Sequence, residues 1–201
     1  MIRDWTRQFV FLLAGVLLLP TVRVPAAQES AAHFRLPNLM GQEVEVFRPG
    51  EDRAAVFIFV ATDCPISNRY APEVRRLYQE FSSRHVAFYL VYADRKETAE
   101  AIRHHLEEFK YPLGVLRDPE HRLVEMTGAQ VTPEAVVFVP GDSGPRMVYR
   151  GRIDDLYVAF GKARRAPTTH DLEDVLKEVL AGKPLTLQTT RAIGCFIPKL
   201  Q

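Results

Sequence analysis

Only two cysteines, Cys64 and Cys195, occur in 201 residues, and they lie far apart in the chain. A Cys-x-x-Cys dithiol, a cysteine-rich zinc cluster and a haem-attachment pair followed by histidine are therefore all absent. The six histidines (His33, His85, His104, His105, His121 and His170) show no His-x-x-x-His spacing. The two adjacent ones point different ways from a polar helix, which reads as solvation. No glycine-rich phosphate loop occurs. The sequence thus predicts no metal and no cofactor. It also lacks an excess of either charge: 26 Lys and Arg against 25 Asp and Glu leave a net charge of +1. A nucleic-acid partner normally demands a basic excess, and the short run Lys162-Ala163-Arg164-Arg165 reads as a solvated loop. No apolar run reaches the ~20 residues of a comfortable membrane span.

What the chain does have is apolar content, 47% of residues, enough for one self-supporting core. Its first segment differs from the rest. Arg3 and Arg7 precede the uncharged run Phe9 to Leu19, Pro20 breaks it, and Pro25-Ala26-Ala27 follows. The basic, apolar and small-residue regions of a secretory signal stand here in order. We expect residues 1–27 to be a signal peptide or an uncleaved N-terminal anchor, the only tie to a membrane. The folded part would then be periplasmic or extracellular, where disulfides persist.

Further along, Phe34 to Phe47 reads as two extended pieces about Met40-Gly41, a hairpin. Val56 to Val60 is continuously apolar, as a strand buried on both faces requires. After it, Ile66, Tyr70, Val74, Leu77, Tyr78 and Phe81 share one helical face, with a kink expected at Pro72. A strand over Val86–Tyr92 and a helix over Glu97–Phe109 follow, the latter with Ile102, Leu106 and Phe109 inward. Asp118-Pro119 reads as the start of a short helix, which Gly128 stops. Ala135–Val139 and Met147–Arg150 form strands joined by a turn. A polar loop from Asp154 to Pro167 leads to a helix carrying Leu172, Val175, Leu176, Val179 and Leu180. Strands alternating with helices and ending in a hairpin imply a mixed sheet covered on both faces.

Three features carry chemistry. Cys64 lies where a buried strand hands over to a helix, and free N–H groups with the helix dipole stabilise a thiolate there. Such thiols can titrate at roughly 3.5–7.5, although the adjacent Asp63 pushes the other way. Pro133 opens a strand, as a residue without an N–H must. Cys195, beside Gly194 in the terminal segment, reads as accessible and mobile. It could resolve a sulfenic acid on Cys64, bridge it permanently with a gain of about 4–5 kcal/mol, or stay unpaired. The residues alone leave these three open.

The stretch Ala61-Thr62-Asp63-Cys64-Pro65-Ile66-Ser67-Asn68-Arg69-Tyr70-Ala71-Pro72-Glu73, the later Thr132-Pro133, Gly151-Arg152-Ile153-Asp154-Asp155 and the Gly194-Cys195 tail resemble the redoxin branch of the thioredoxin-like superfamily, in its bacterial exported form. The resemblance implies an α/β fold, a thioredoxin-like three-layer α/β/α sandwich with a central mixed β-sheet. It places a redoxin domain over residues 32–184 and a tail over 185–201. It also implies a cis Pro133 against a catalytic Cys64, a substrate groove formed by Thr132, Pro133, Pro65 and Asp63, Ser67 as a hydrogen-bonding partner of the sulfur, and resolution by Cys195. The implied activity is thiol oxidoreduction on a protein disulfide or a peroxide, with a thioredoxin-like reducing donor as partner. Two departures from the pattern stand out. Ser67 replaces the second cysteine of thioredoxins, and Ala61 and Phe57 replace the threonine and proline of peroxiredoxins. Those departures keep two alternatives in view, a non-catalytic binding module with this fold and an accessory protein of metal or haem assembly.

Overall fold

The structure, a computed structural model, describes residues 34–48 and 50–200. The signal or anchor expected over residues 1–27 lies outside the described residues. Among the described residues no helix is long and apolar enough to cross a membrane.

The seven residues of β3 (Ala54–Val60) are all buried, which explains a run without polar alternation. It follows the hairpin β1 (Arg35–Pro37) and β2 (Glu43–Glu45), whose turn is held by Asn38. Next come α1 (Pro65–Arg69), α2 (Ala71–Phe81), β4 (Val86–Tyr92), α3 (Ala99–Glu108), β5 (Gly114–Arg117) and α4 (Arg122–Thr127). The second half contains β6 (Val131–Thr132), β7 (Glu134–Val139), β8 (Arg146–Gly151), β9 (Tyr157–Ala159), β10 (Lys162–Ala163), α5 (Asp171–Leu180), β11 (Gln188–Thr189) and β12 (Cys195–Phe196). The main sheet runs β11-β8-β7-β3-β4-β5. β3 is parallel to β4 and antiparallel to β7, so the sheet is mixed.

Because side chains alternate along a strand, β3 feeds two cores. Val56, Ile58 and Val60 meet Tyr70, Val74, Leu77 and Phe81 together with Leu172, Val175 and Leu176 of α5. Ala55, Phe57 and Phe59 face Phe34, Leu36, Val46 and Phe47 together with Leu123 of α4. This is the thioredoxin-like three-layer sandwich. Phe57 anchors its second core: its ring lies edge-on to Phe47 and Phe138 and stacks on Tyr89 at 5.5 Å.

Several elements differ from the sequence reading. The helix after Cys64 does not kink at Pro72 but breaks at Tyr70, and Pro72 then sits in the first turn of α2, where its missing N–H costs nothing. Asp118 does cap α4, accepting from Leu123 N and Val124 N at 2.9 Å, but from across a turn that ends in left-handed His121. β5 is an edge strand the pattern did not reveal. His105 is buried, not solvated; it occupies the inward row of α3 with Ile102. The polar loop contains the hairpin β9–β10. The terminal segment is docked rather than free, since β11 extends the main sheet beside β8 and β12 pairs with β6.

Candidate functional site

Cys64 is the residue at which the chain leaves β3 and begins α1. Its backbone is extended (φ −84°, ψ 108°), so it stands as the N-cap, with Pro65 supplying the first helical residue. The sulfur does the capping: Ser67 N–H donates to Sγ at 3.4 Å, and the thiol donates to the Thr132 carbonyl at 3.0 Å. Cys64 is 0% exposed.

Thr132 and Pro133 face it through a cis peptide bond, and both are buried. Pro65 and Asp63 flank the sulfur on the exposed side. Arg69 is also exposed, and neither it nor Asp63 hydrogen-bonds Sγ. Ser67 supports the sulfur through its main-chain N–H. The hydroxyl expected to serve is buried and makes no hydrogen bond among the described residues.

The tail brings the second thiol to the first. Its anchor is Thr190, whose N–H donates to Arg150 O at 3.1 Å and whose Oγ1 meets Tyr149 Oη at 2.7 Å and accepts from Arg152 N. β12 then lies antiparallel on β6 with Cys195 opposite Thr132, and Ile197 N–H donates to Gln130 O at 2.9 Å. Cys195 is half-buried, and both cysteines are free thiols.

Cys195 sits opposite Thr132, whose carbonyl accepts the Cys64 thiol, and the two cysteines act on each other's ionisation. Burial opposes ionisation of Cys64, but hydrogen bonds from the Cys195 thiol and from main-chain N–H groups of Ser67 and Cys195 outweigh it, and its pKa lies below the ordinary value. Burial and the same contact act on Cys195 in the opposite sense and push it up to about 12. The pair is therefore polarised. Ionisation is favoured at Cys64 and opposed at Cys195.

Around this pair lie residues that sequence reasoning missed. The Thr62 peptide is clamped from both ends: its N–H donates to Glu97 Oε1 at 2.6 Å, and its carbonyl accepts from Asn68 Nδ2 at 3.1 Å. Asn68 Oδ1 meets His105 Nε2 at 2.8 Å, and His105 Nδ1 meets Tyr92 Oη at 2.7 Å. Since Asn68 uses its amide nitrogen on Thr62, its oxygen must accept from His105, which places a proton on Nε2. Burial holds the His105 pKa below the ordinary value. Burial raises that of Glu97, whose Oε2 has no hydrogen-bond partner among the described residues. On the other flank Tyr70 Oη donates to Asp154 Oδ1 at 2.6 Å and ties the α1–α2 break to the loop after β8. Thr62, Asn68, Tyr70 and Asp154 lie in the stretches that carry the resemblance but were given no role there, whereas Tyr92, Glu97 and His105 belong to no recognisable spacing and no sequence signal marked them.

Among the described residues one group could offer three ligand atoms to a metal, Glu73, Asp154 and His170, all within 4.8 Å of one another. It includes neither cysteine. Arg76 occupies both oxygens of Glu73, and Tyr70 with Leu156 N–H occupies Asp154 Oδ1. Glu73 and Asp154 are thus already engaged in hydrogen bonds within the fold.

A helix-capping thiol at the end of a buried central strand, facing a cis-proline, is the arrangement of the thioredoxin-like proteins. Residues 27–145 match the model of the AhpC/TSA family, and the chain belongs to that family. Among solved structures it is similar to an uncharacterised conserved protein from Geobacillus kaustophilus, with 24% identity, a TM-score of 0.70, and coverage of 86% of this chain and 91% of the other. A hypothetical protein from Sinorhizobium meliloti 1021 gives 22% identity and a TM-score of 0.69, covering 84% and 91%. A putative thioredoxin from Neisseria meningitidis is similar at 17% identity and a TM-score of 0.52, covering 74% and 87%. At these identities the structures speak for the fold alone. No curated protein matches the chain.

Proposed function

We propose that this chain is an exported thiol oxidoreductase in which Cys64 is the nucleophile and Cys195 the resolving thiol. The observation that carries the reading is the placement of the two thiols: a capping Cys64 sulfur held by Ser67 N–H and bonded to the Thr132 carbonyl, with Cys195 seated directly opposite Thr132. Two substrates suit such a thiolate. With a hydroperoxide, Cys64 sulfur attacks one oxygen and the O–O bond breaks; the leaving oxygen takes a proton and departs as alcohol or water. Cys195 sulfur then displaces the oxygen of the Cys64 sulfenic acid as water, forming a disulfide. With a disulfide, Cys64 forms a mixed disulfide and releases one thiolate, and Cys195 displaces the other. Either route takes two electrons from the two thiols. A thioredoxin-like dithiol returns them, being oxidised to its own disulfide.

Export is part of this reading: residues 1–27 as signal or anchor, residues 32–184 as the redoxin domain, and 185–201 as the tail that supplies Cys195. The competing reading is a binding module that keeps the fold. It draws on the complete burial of Cys64 and on Ala61 and Ser67 standing where relatives carry reactive groups. One experiment separates the two. The reduced mature protein is treated with one equivalent of hydrogen peroxide, free thiols are blocked, and peptides are mapped by mass. A Cys64–Cys195 disulfide that thioredoxin reduces is expected. Recovery of Cys64 as a free thiol, both there and with a model disulfide, refutes the oxidoreductase reading in favour of the binding module.

A further inference from the structure

The tail rests on the Cys64 site through close approaches that leave no room for a side chain. A Cβ at Gly194 would collide with the Thr132 carbonyl oxygen and lie 2.6 Å from its carbon. Gly194 has no unusual φ, so space, not backbone conformation, requires glycine here. A Cβ at Gly151 would meet the Thr190 main chain within 2.8 Å, so the tail's anchor is equally tight. The carbonyl that Gly194 touches is the one that accepts the Cys64 thiol. Main chain and sulfur therefore converge on one atom, and Cys195 follows directly opposite Thr132.

The consequence concerns what can reach Cys64. A polypeptide bringing a disulfide to this sulfur along the β6 edge would have to lie where β12 already lies. Beside the tail a cavity of about 180 Å³ remains, lined by Ala61, Asp63, Asp94, Thr132 and Cys195. It is too small for a strand, it carries the carboxyl groups of Asp63 and Asp94, and the fully buried Cys64 is not part of its lining. We propose that Gly194 determines the specificity of the site: by seating the tail on the Thr132–Pro133 peptide it keeps the β6 edge occupied, so that a polypeptide disulfide reaches the buried Cys64 only when the tail leaves, whereas a small oxidant needs only a local opening. This rests on the thiol chemistry proposed above. Gly194 acts through the tail and is a positioning residue, not a catalytic one. With the tail displaced, Cys64 thiolate attacks one sulfur of a polypeptide disulfide, the other sulfur leaves as thiolate, and the mixed disulfide remains until a second thiol displaces it.

The test uses the full chain, as wild type and as Gly194→Ala, with hydrogen peroxide and insulin as the two probes. Loss of the Cys64 thiol is followed by mass mapping. Both reactions use the same thiolate, so the ratio of the insulin rate to the peroxide rate cancels any change in ionisation. A groove open only a minor fraction of the time slows the polypeptide in proportion, so the ratio should rise about 10- to 100-fold in the variant. Thr190→Val, which loosens the anchor without a clash, should shift it the same way and serves if Gly194→Ala does not fold. An equal ratio in wild type and variants overturns the inference, as does an equal acceleration of both probes. Cys64 inert to both probes in every protein overturns the thiol reading itself, a failure distinct from loss of selectivity.

Discussion

Replacing Cys195 by alanine removes one hydrogen bond from the Cys64 sulfur and leaves the Ser67 N–H and the N-cap position in place. A hydrogen bond to a charged acceptor is worth about 1.5–3 kcal/mol. Since one pKa unit corresponds to ~1.36 kcal/mol, Cys64 should titrate about 1–2 units higher in Cys195→Ala. The substitution also removes a covering sulfur, and any water admitted favours the thiolate, so the lower end of that range is expected. Cys195→Ser keeps an O–H donor in the same place and should shift Cys64 less than alanine does. Thiolate absorbance at 240 nm against pH reads all three proteins. In wild type the titration should be stepwise: a first thiol below the ordinary cysteine value of about 8.5, and a second near 12. A Cys64 pKa in Cys195→Ala equal to or lower than wild type refutes the reasoning, because the tail thiol would then not be stabilising the charge. Two wild-type thiols titrating together near the ordinary value refute the polarised pair altogether.

The other predictions concern the framework that holds the site. Phe57→Ala should destabilise the fold by about 3–5 kcal/mol, since the ring is fully buried among Phe47, Tyr89 and Phe138; chemical denaturation measures this, and a loss under 1 kcal/mol would mean that the second core repacks. His105 is held neutral with its pKa depressed by burial. Its contribution to stability is complete above the unfolded value of about 6.5 and declines as pH falls from there toward the depressed folded value; His105→Gln should flatten that limb of the stability profile, and an unchanged slope would contradict the assignment. Tyr70→Phe should cost about 1–3 kcal/mol by leaving the buried Asp154 carboxylate short of a donor, measured by thermal or denaturant unfolding, and no change would show that water replaces the hydroxyl.

The fold was legible because its signals are strong and local. β3 is apolar throughout because both faces are buried, and that run, followed by a helical face from Ile66 to Phe81, defines the centre of the sandwich. The break at Tyr70 was misread because proline is equally at home in a first helical turn, so Pro72 marks a new helix as well as a kink. β5 escaped because four residues at a sheet edge, Gly114 to Arg117, bury only Leu116 well. Asp118 as a cap was correct in chemistry and wrong in position, since a side-chain acceptor can reach amides across a turn as well as from the capping residue itself.

The site divides along a different line. Cys64 could be found because its place in the fold follows from local order, strand then cysteine then proline then helix. The residues that tune it depend on contacts that no spacing encodes. His105 sits at a helical position beside the exposed His104, and only packing against Tyr92 and Asn68 makes one of the pair internal. Glu97 reads as the polar start of a helix until the Thr62 amide is seen to point at it. The tail shows the difference most sharply. A two-residue strand carries no periodicity, so Gly194-Cys195 looked like a mobile end. Yet Gly194 is fixed by a carbonyl 62 residues earlier in the chain, that of Thr132. A segment of low intrinsic preference can be held by tertiary contacts alone: Gly194 against the Thr132 carbonyl, and Thr190 on Arg150 and Tyr149, bring Cys195 to the Cys64 site although neither contact leaves a mark in local periodicity.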